Sequence, residues 1–100
     1  MGDFRLYGFS HSIKMSATRI IEDYLRYDDL SEVIMGVFLD EFTSMPSAKI
    51  MDVMTLASDL LYSGDEGGAI AQLDIAYTLA EREYGRGIET DLIDELINRI

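Results

Sequence analysis

The chain has 100 residues, 48% of them apolar, with one proline, one histidine and no cysteine. That is enough for one packed domain, too short for two independent cores, and it excludes disulfide and thiolate chemistry. Nineteen acidic against eight basic residues give a formal charge of −11, a field that repels nucleic acid and anionic membranes and draws basic partners.

Residues 1–14, MGDFRLYGFSHSIK, mix Phe4, Leu6, Tyr7 and Phe9 with helix-breaking glycine and serine. They predict an irregular or mobile arm before a single helical domain over 15–100. From Ser16, Ala17, Ile20, Ile21, Tyr24 and Leu25 recur at helical spacing. YDDL interrupts this stripe, and Asp28 or Asp29 can cap the next helix by accepting its free N–H groups. The second stripe is Leu30, Val33, Ile34, Val37, Phe38 and Phe42; Gly36 within it predicts close approach of a neighbouring helix. TSMPS ends that helix, because the residue before Pro46 is pushed out of helical geometry.

Ser47 can cap a third helix, AKIMDVMTLASDLLYS, which is apolar over a wide arc. Such a helix is central or turns one face to a partner. The fourth is predicted from about Glu66 to Tyr84, with Ala69, Ile70, Leu73, Ala76, Tyr77 and Ala80 on one face, and YGRG stops it. Thr90 is expected to cap the last helix, whose stripe is Leu92, Ile93, Leu96, Ile97 and Ile100. That stripe either seals the bundle or pairs across a two-fold axis in a homodimer. Short connections make sequential helices antiparallel neighbours. The expected fold is all-α: a compact bundle of about five helices in antiparallel hairpins, with an irregular N-terminal arm.

The corner SGDEGGA, between the third and fourth helices, tests for a ligand loop. A phosphate loop needs converging glycine N–H groups and a basic residue, but Asp65 and Glu66 stand here without a lysine. With Asp59 as the first residue of a calcium loop, Gly64 falls at the sixth position as required. However, Leu61 and Ser63 occupy the third and fifth, and Ile70 the twelfth, where a bidentate glutamate belongs. A helical corner fits better: Asp65 caps the following helix, while Gly67, Gly68 and Ala69 let the two helices meet closely.

Within residues 50–83, large positions fall on Val53, Leu60 and Leu73 and small ones on Ala57, Ala69 and Ala76; Leu56 precedes Ala57, and Gly64–Asp65 form the turn. This pattern resembles a tetratricopeptide-type helical hairpin, a protein-binding repeat, with Val53 where the family favours tryptophan and Glu81 where its closing proline falls. One period of about 34 residues upstream, Arg19 and Glu22 fall on core positions, so no second copy is expected. The resemblance implies a ligand-facing side made of Met51, Met54, Ser58, Leu61 and Tyr62. Methionines suit an adaptable groove; the simpler reading is that the first two helices cover this side.

The single histidine, His11, lies in the arm, so neither a Ser-His-acid triad nor a histidine metal site can be assembled. Adjacent carboxylates on a helix point in different directions, which leaves paired acids as solvated surface. No enzyme, metal or cofactor is expected. A second candidate surface is acidic: Glu22, Asp23, Asp28, Asp29, Glu32, Asp40 and Glu41 on the first two helices, with Glu89, Asp91, Asp94 and Glu95 on the last. Rows of carboxylates can imitate nucleic-acid phosphates, and in kind the chain resembles small acidic phage inhibitors of restriction or CRISPR systems.

The expected function is protein–protein interaction, as an adaptor or inhibitor of a partner with a basic surface. The alternative is an anti-defence nucleic-acid mimic. Neither reading involves direct nucleic-acid or membrane binding. No apolar run reaches membrane-span length and no basic-then-apolar leader opens the chain, so a cytoplasmic location (the host's, if phage-encoded) is expected.

Overall fold

The apolar stripes at three- and four-residue spacing become five amphipathic helices in the computed structural model, which describes residues 16–100. They are α1 (residues 16–25), α2 (Leu30–Asp40), α3 (Ala48–Tyr62), α4 (Glu66–Tyr84) and α5 (Ile88–Arg99), with no strand among the described residues. The expected arm over 1–14 and His11 lie outside the described residues.

Three of the expected caps form. The Asp29 carboxylate accepts the Glu32 N–H (3.1 Å), the Ser47 hydroxyl faces the Ile50 N–H (3.5 Å), and Asp65 accepts the Gly68 N–H (2.9 Å). At the end of α3, the Gly64 N–H donates to the Leu61 carbonyl (3.1 Å) and the Asp65 N–H to the Leu60 carbonyl (2.8 Å). This paired closure of the last carbonyls needs a left-handed residue, and Gly64 supplies it at φ 95°.

The fourth cap is corrected. The last helix starts at Ile88 rather than after Thr90, whose hydroxyl sits in the first turn, accepting the Gly87 N–H (3.0 Å) and donating to the Gly87 carbonyl (3.1 Å).

Two of the expected spacers are also corrected. A Cβ on Gly67 would meet nothing within 4 Å, so no helix crosses there. A Cβ on Gly68 would stand 2.5 Å from the Asp65 carboxylate, so that glycine serves the cap. Gly36 fits its expectation: a Cβ there would lie 3.0 Å from the Tyr24 ring of α1.

Helix α3 packs between α2 and α4, α4 between α3 and α5, and α5 returns to α2. These four helices form a ring around a core that includes Ile34, Phe38, Ile50, Met54, Leu73 and Leu96. Each such side chain contributes about 1.5–3 kcal/mol of burial. Helix α1 covers the seam between α2 and α5. Its Ala17 and Ile21 join the core, Thr18 donates to Glu95 (3.1 Å), and Glu22 pairs with Arg99 (3.5 Å). Pairs 18–95 and 22–99 advance together, so α1 runs parallel to α5.

Candidate functional site

The two ends of the bundle differ. At one end the α2–α3 loop is bonded to α4 and α5. Glu89, nearly fully buried, accepts both the Thr43 N–H (2.9 Å) and the Thr43 hydroxyl (2.6 Å). The Tyr84 hydroxyl donates to the Ser44 carbonyl (2.8 Å) while its ring meets Phe42 edge-on at 5.5 Å. Glu83 accepts the Ser47 N–H (3.1 Å). Glu89 therefore leaves the acidic surface predicted for the last helix and becomes a clasp. Burial raises the Tyr84 phenol above its ordinary value.

The other end is open. Antiparallel packing gathers there the end of α1, the start of α2, the end of α3, the start of α4 and the end of α5. The α1–α2 and α3–α4 corners and the first turns after them bring Asp28, Asp29, Glu32, Asp65 and Glu66 here. Two tyrosines stand among them almost wholly in water, Tyr27 at 87% and Tyr62 at 81% exposure. A groove of about 350 Å³ opens beside Tyr62, with Leu30, Leu61 and Ile100 as apolar lining and Asp29, Glu66 and Arg99 as charged lining. A second, of about 400 Å³, runs past Tyr27 with Tyr24, Ile20, Asp23, Asp28 and Glu41.

Electrostatics at this end are one-sided. The Ser31 hydroxyl (2.8 Å) and the Glu32 N–H hold the Asp29 carboxyl below its usual range. Glu32 is pushed up, first by the charge of Asp29 and then by Asp28. Of the cations at this end, Arg99 is held by Glu95 (2.8 Å) and Glu22, and Arg26 faces Asp23 (3.6 Å). The groove thus offers apolar contact with unneutralised negative charge at its edge.

The predicted partner-binding set does not stay together. Met54 is fully buried and Ser58 nearly so, its hydroxyl donating to the Ser31 carbonyl of α2 (2.7 Å). Met51 is half-buried against the core. This is a correction: α2 covers that side of α3, and a partner cannot reach Met54 or Ser58. Leu61 and Tyr62 remain, at the end of α3, and both line the end groove.

The acidic set divides as well. Glu22 and Asp23 pair with Arg99 and Arg26 (3.5 and 3.6 Å). Asp28, Asp29 and Glu32 cluster at the open end, whereas Asp40 and Glu41 lie at the far end of α2, about 16 Å along its axis. Glu41 accepts the Tyr24 hydroxyl (2.9 Å). The seven acids do not form one row.

Tyr27 was not singled out in the sequence; an aromatic ring in the polar YDDL corner, outside both stripes, was its available signal. Among the described residues no three His, Asp or Glu side chains converge on a metal-sized point, and no helix is long and apolar enough to cross a membrane. No protein-family profile, curated protein or solved structure matches the chain.

Proposed function

We propose that the protein acts by binding another protein at the open end of its bundle, as an adaptor or inhibitor. The partner presents an apolar or aromatic side chain flanked by lysine or arginine. The observation that carries this reading is Tyr62, 81% exposed beside an apolar groove whose edge is acidic. Exposed tyrosines offer large contact area at small entropic cost, and the carboxylates steer a basic segment toward them. The buried Ala57, Ala69 and Ala76 sit where a tetratricopeptide hairpin has its small residues, which supports the helical hairpin as the scaffold.

Selection from a random peptide library displayed against the immobilised protein tests the proposal. Enriched sequences should combine an aromatic or aliphatic residue with neighbouring Lys or Arg, and should lose binding to Tyr62→Ala and to Glu66→Lys. Enrichment that survives both substitutions would show that the groove is not the site. Salt separates this reading from phosphate mimicry. A mimic engaging many basic side chains loses about 10³–10⁵-fold in affinity between 50 and 200 mM salt. A contact resting on Tyr62 and Leu61 changes by less than about tenfold.

A further inference from the structure

The groove that runs past Tyr27 is built around a second tyrosine. Tyr24 is half-buried, and its ring lies against Gly36 of α2, where a Cβ would stand 3.0 Å from a ring carbon. Glycine inside a helix costs stability, and here the bare backbone is what admits the ring. The Tyr24 hydroxyl donates to Glu41 (2.9 Å), so that ring and carboxylate hold each other in place. Ile20 lines the same groove, and so does Tyr27, 87% exposed.

Charge in this groove is uncompensated. Its carboxylates are Asp23, Asp28 and Glu41, and no described lysine or arginine lines it. Arg26 answers Asp23 (3.6 Å) from outside. Asp28 and Glu41 form no ion pair with a described residue. The second oxygen of Glu41 takes no hydrogen bond from any described residue. An oriented carboxylate beside an aromatic ring suits a planar cation. A guanidinium stacks on the ring and keeps N–H groups in its own plane for the carboxylate, whereas an ammonium has no such plane.

We propose that this groove is an arginine subsite. It rests on the reading that the protein binds a basic partner, and it assigns one arginine of that partner to Tyr24 and Glu41. The guanidinium lies on the accessible part of the Tyr24 ring and bonds the Glu41 carboxylate. Its methylene stem passes Ile20, and Tyr27 flanks it. Asp23 and Asp28 attract the rest of the basic segment. The apolar side chain at Tyr62 and the arginine are thus received in separate grooves.

Amide chemical-shift titration of the full chain with N-acetyl-arginine methylamide tests the subsite, because this probe has no apolar anchor for the Tyr62 groove. At roughly millimolar probe, the amides of Tyr24, Tyr27, Gly36 and Glu41 should shift and saturate together. The citrulline analogue, which keeps the shape and loses the charge, should bind about tenfold more weakly, and the lysine analogue about threefold. Glu41→Gln still accepts the Tyr24 hydroxyl and should weaken the arginine probe about tenfold. Tyr27→Ala should weaken it about 2–5-fold. Asp74→Asn, an equal charge change on α4, should not alter it. Linear shifts spread over the acidic surface overturn the subsite, as does equal binding of the citrulline or lysine probe. So does Glu41→Gln that binds like the wild type at unchanged helicity. If the titration fails while library peptides still depend on Tyr62, the subsite alone is lost. If it saturates while peptides ignore Tyr62, the subsite stands and the Tyr62 groove falls.

Discussion

Neighbouring glycines in the α3–α4 corner should respond oppositely to alanine. Gly67 is the second residue of α4, and a Cβ there would meet nothing within 4 Å. Gly67→Ala lowers the entropy of the unfolded chain and should stabilise by about 0.5–1 kcal/mol. Gly68→Ala brings the same gain but puts its Cβ 2.5 Å from one oxygen of Asp65, whose other oxygen accepts the Gly68 N–H at 2.9 Å. The carboxylate must swing away, forfeiting a cap worth about 1 kcal/mol. The net change should be near zero or destabilising, leaving the two variants about 1 kcal/mol apart. For a domain of this size that is about 4–8 °C in melting temperature, easily resolved by urea and thermal unfolding. The cause can be isolated in an Asp65→Ala background, where no carboxylate opposes the new methyl group. There, Gly68→Ala should stabilise as Gly67→Ala does. Equal stabilisation by both alanines in the wild-type background would refute the reasoning.

Three further outcomes follow from particular contacts. Burial first, and then the Glu41 carboxylate that accepts its hydroxyl, raise the Tyr24 phenol well above its ordinary value. The stability it contributes is complete below the unfolded value of 10.0 and is lost as pH rises toward the folded one. Ultraviolet titration should show two late-ionising tyrosines among the described residues, Tyr24 and Tyr84, and Tyr24→Phe should remove one of them. Glu89→Ala should cost about 2 kcal/mol in urea unfolding by releasing Thr43, while Glu89→Gln, which keeps one acceptor oxygen, should cost about 1 kcal/mol. Met54→Asp buries a charge in a fully enclosed site and should largely unfold the protein by circular dichroism. Ser58→Ala removes only its bond to Ser31 and should cost about 1 kcal/mol.

Local signals in the sequence carried most of the architecture. Stripes such as Val33–Ile34–Val37–Phe38 and caps such as Asp29, Ser47 and Asp65 depend on neighbours a few residues away, and they appear where expected. Thr90 misled because any hydroxyl before an apolar stripe reads as a cap; here it bonds back to Gly87 from inside the first turn. The site was less legible. Met54 and Leu56 are apolar residues two positions apart on one helix, yet one is enclosed and the other half in water. The flank on which α2 lies decides between them, and that is a tertiary fact. Likewise Glu89 reads as surface charge until the Thr43 backbone arrives 46 positions away to use it.

The ring of helices also constrains how the chain folds. Within α2 to α5, every pairing but one joins consecutive elements, and such local contacts form at small loop-closure entropy. The exception is α5 against α2, which spans the whole α3–α4 hairpin. Collapse should therefore begin at the hairpin and finish when α5 swings home, with Glu89 finding Thr43 in the final step. Substitutions at that clasp should leave the refolding rate nearly unchanged and accelerate unfolding, making the clasp a determinant of how long the folded protein lasts.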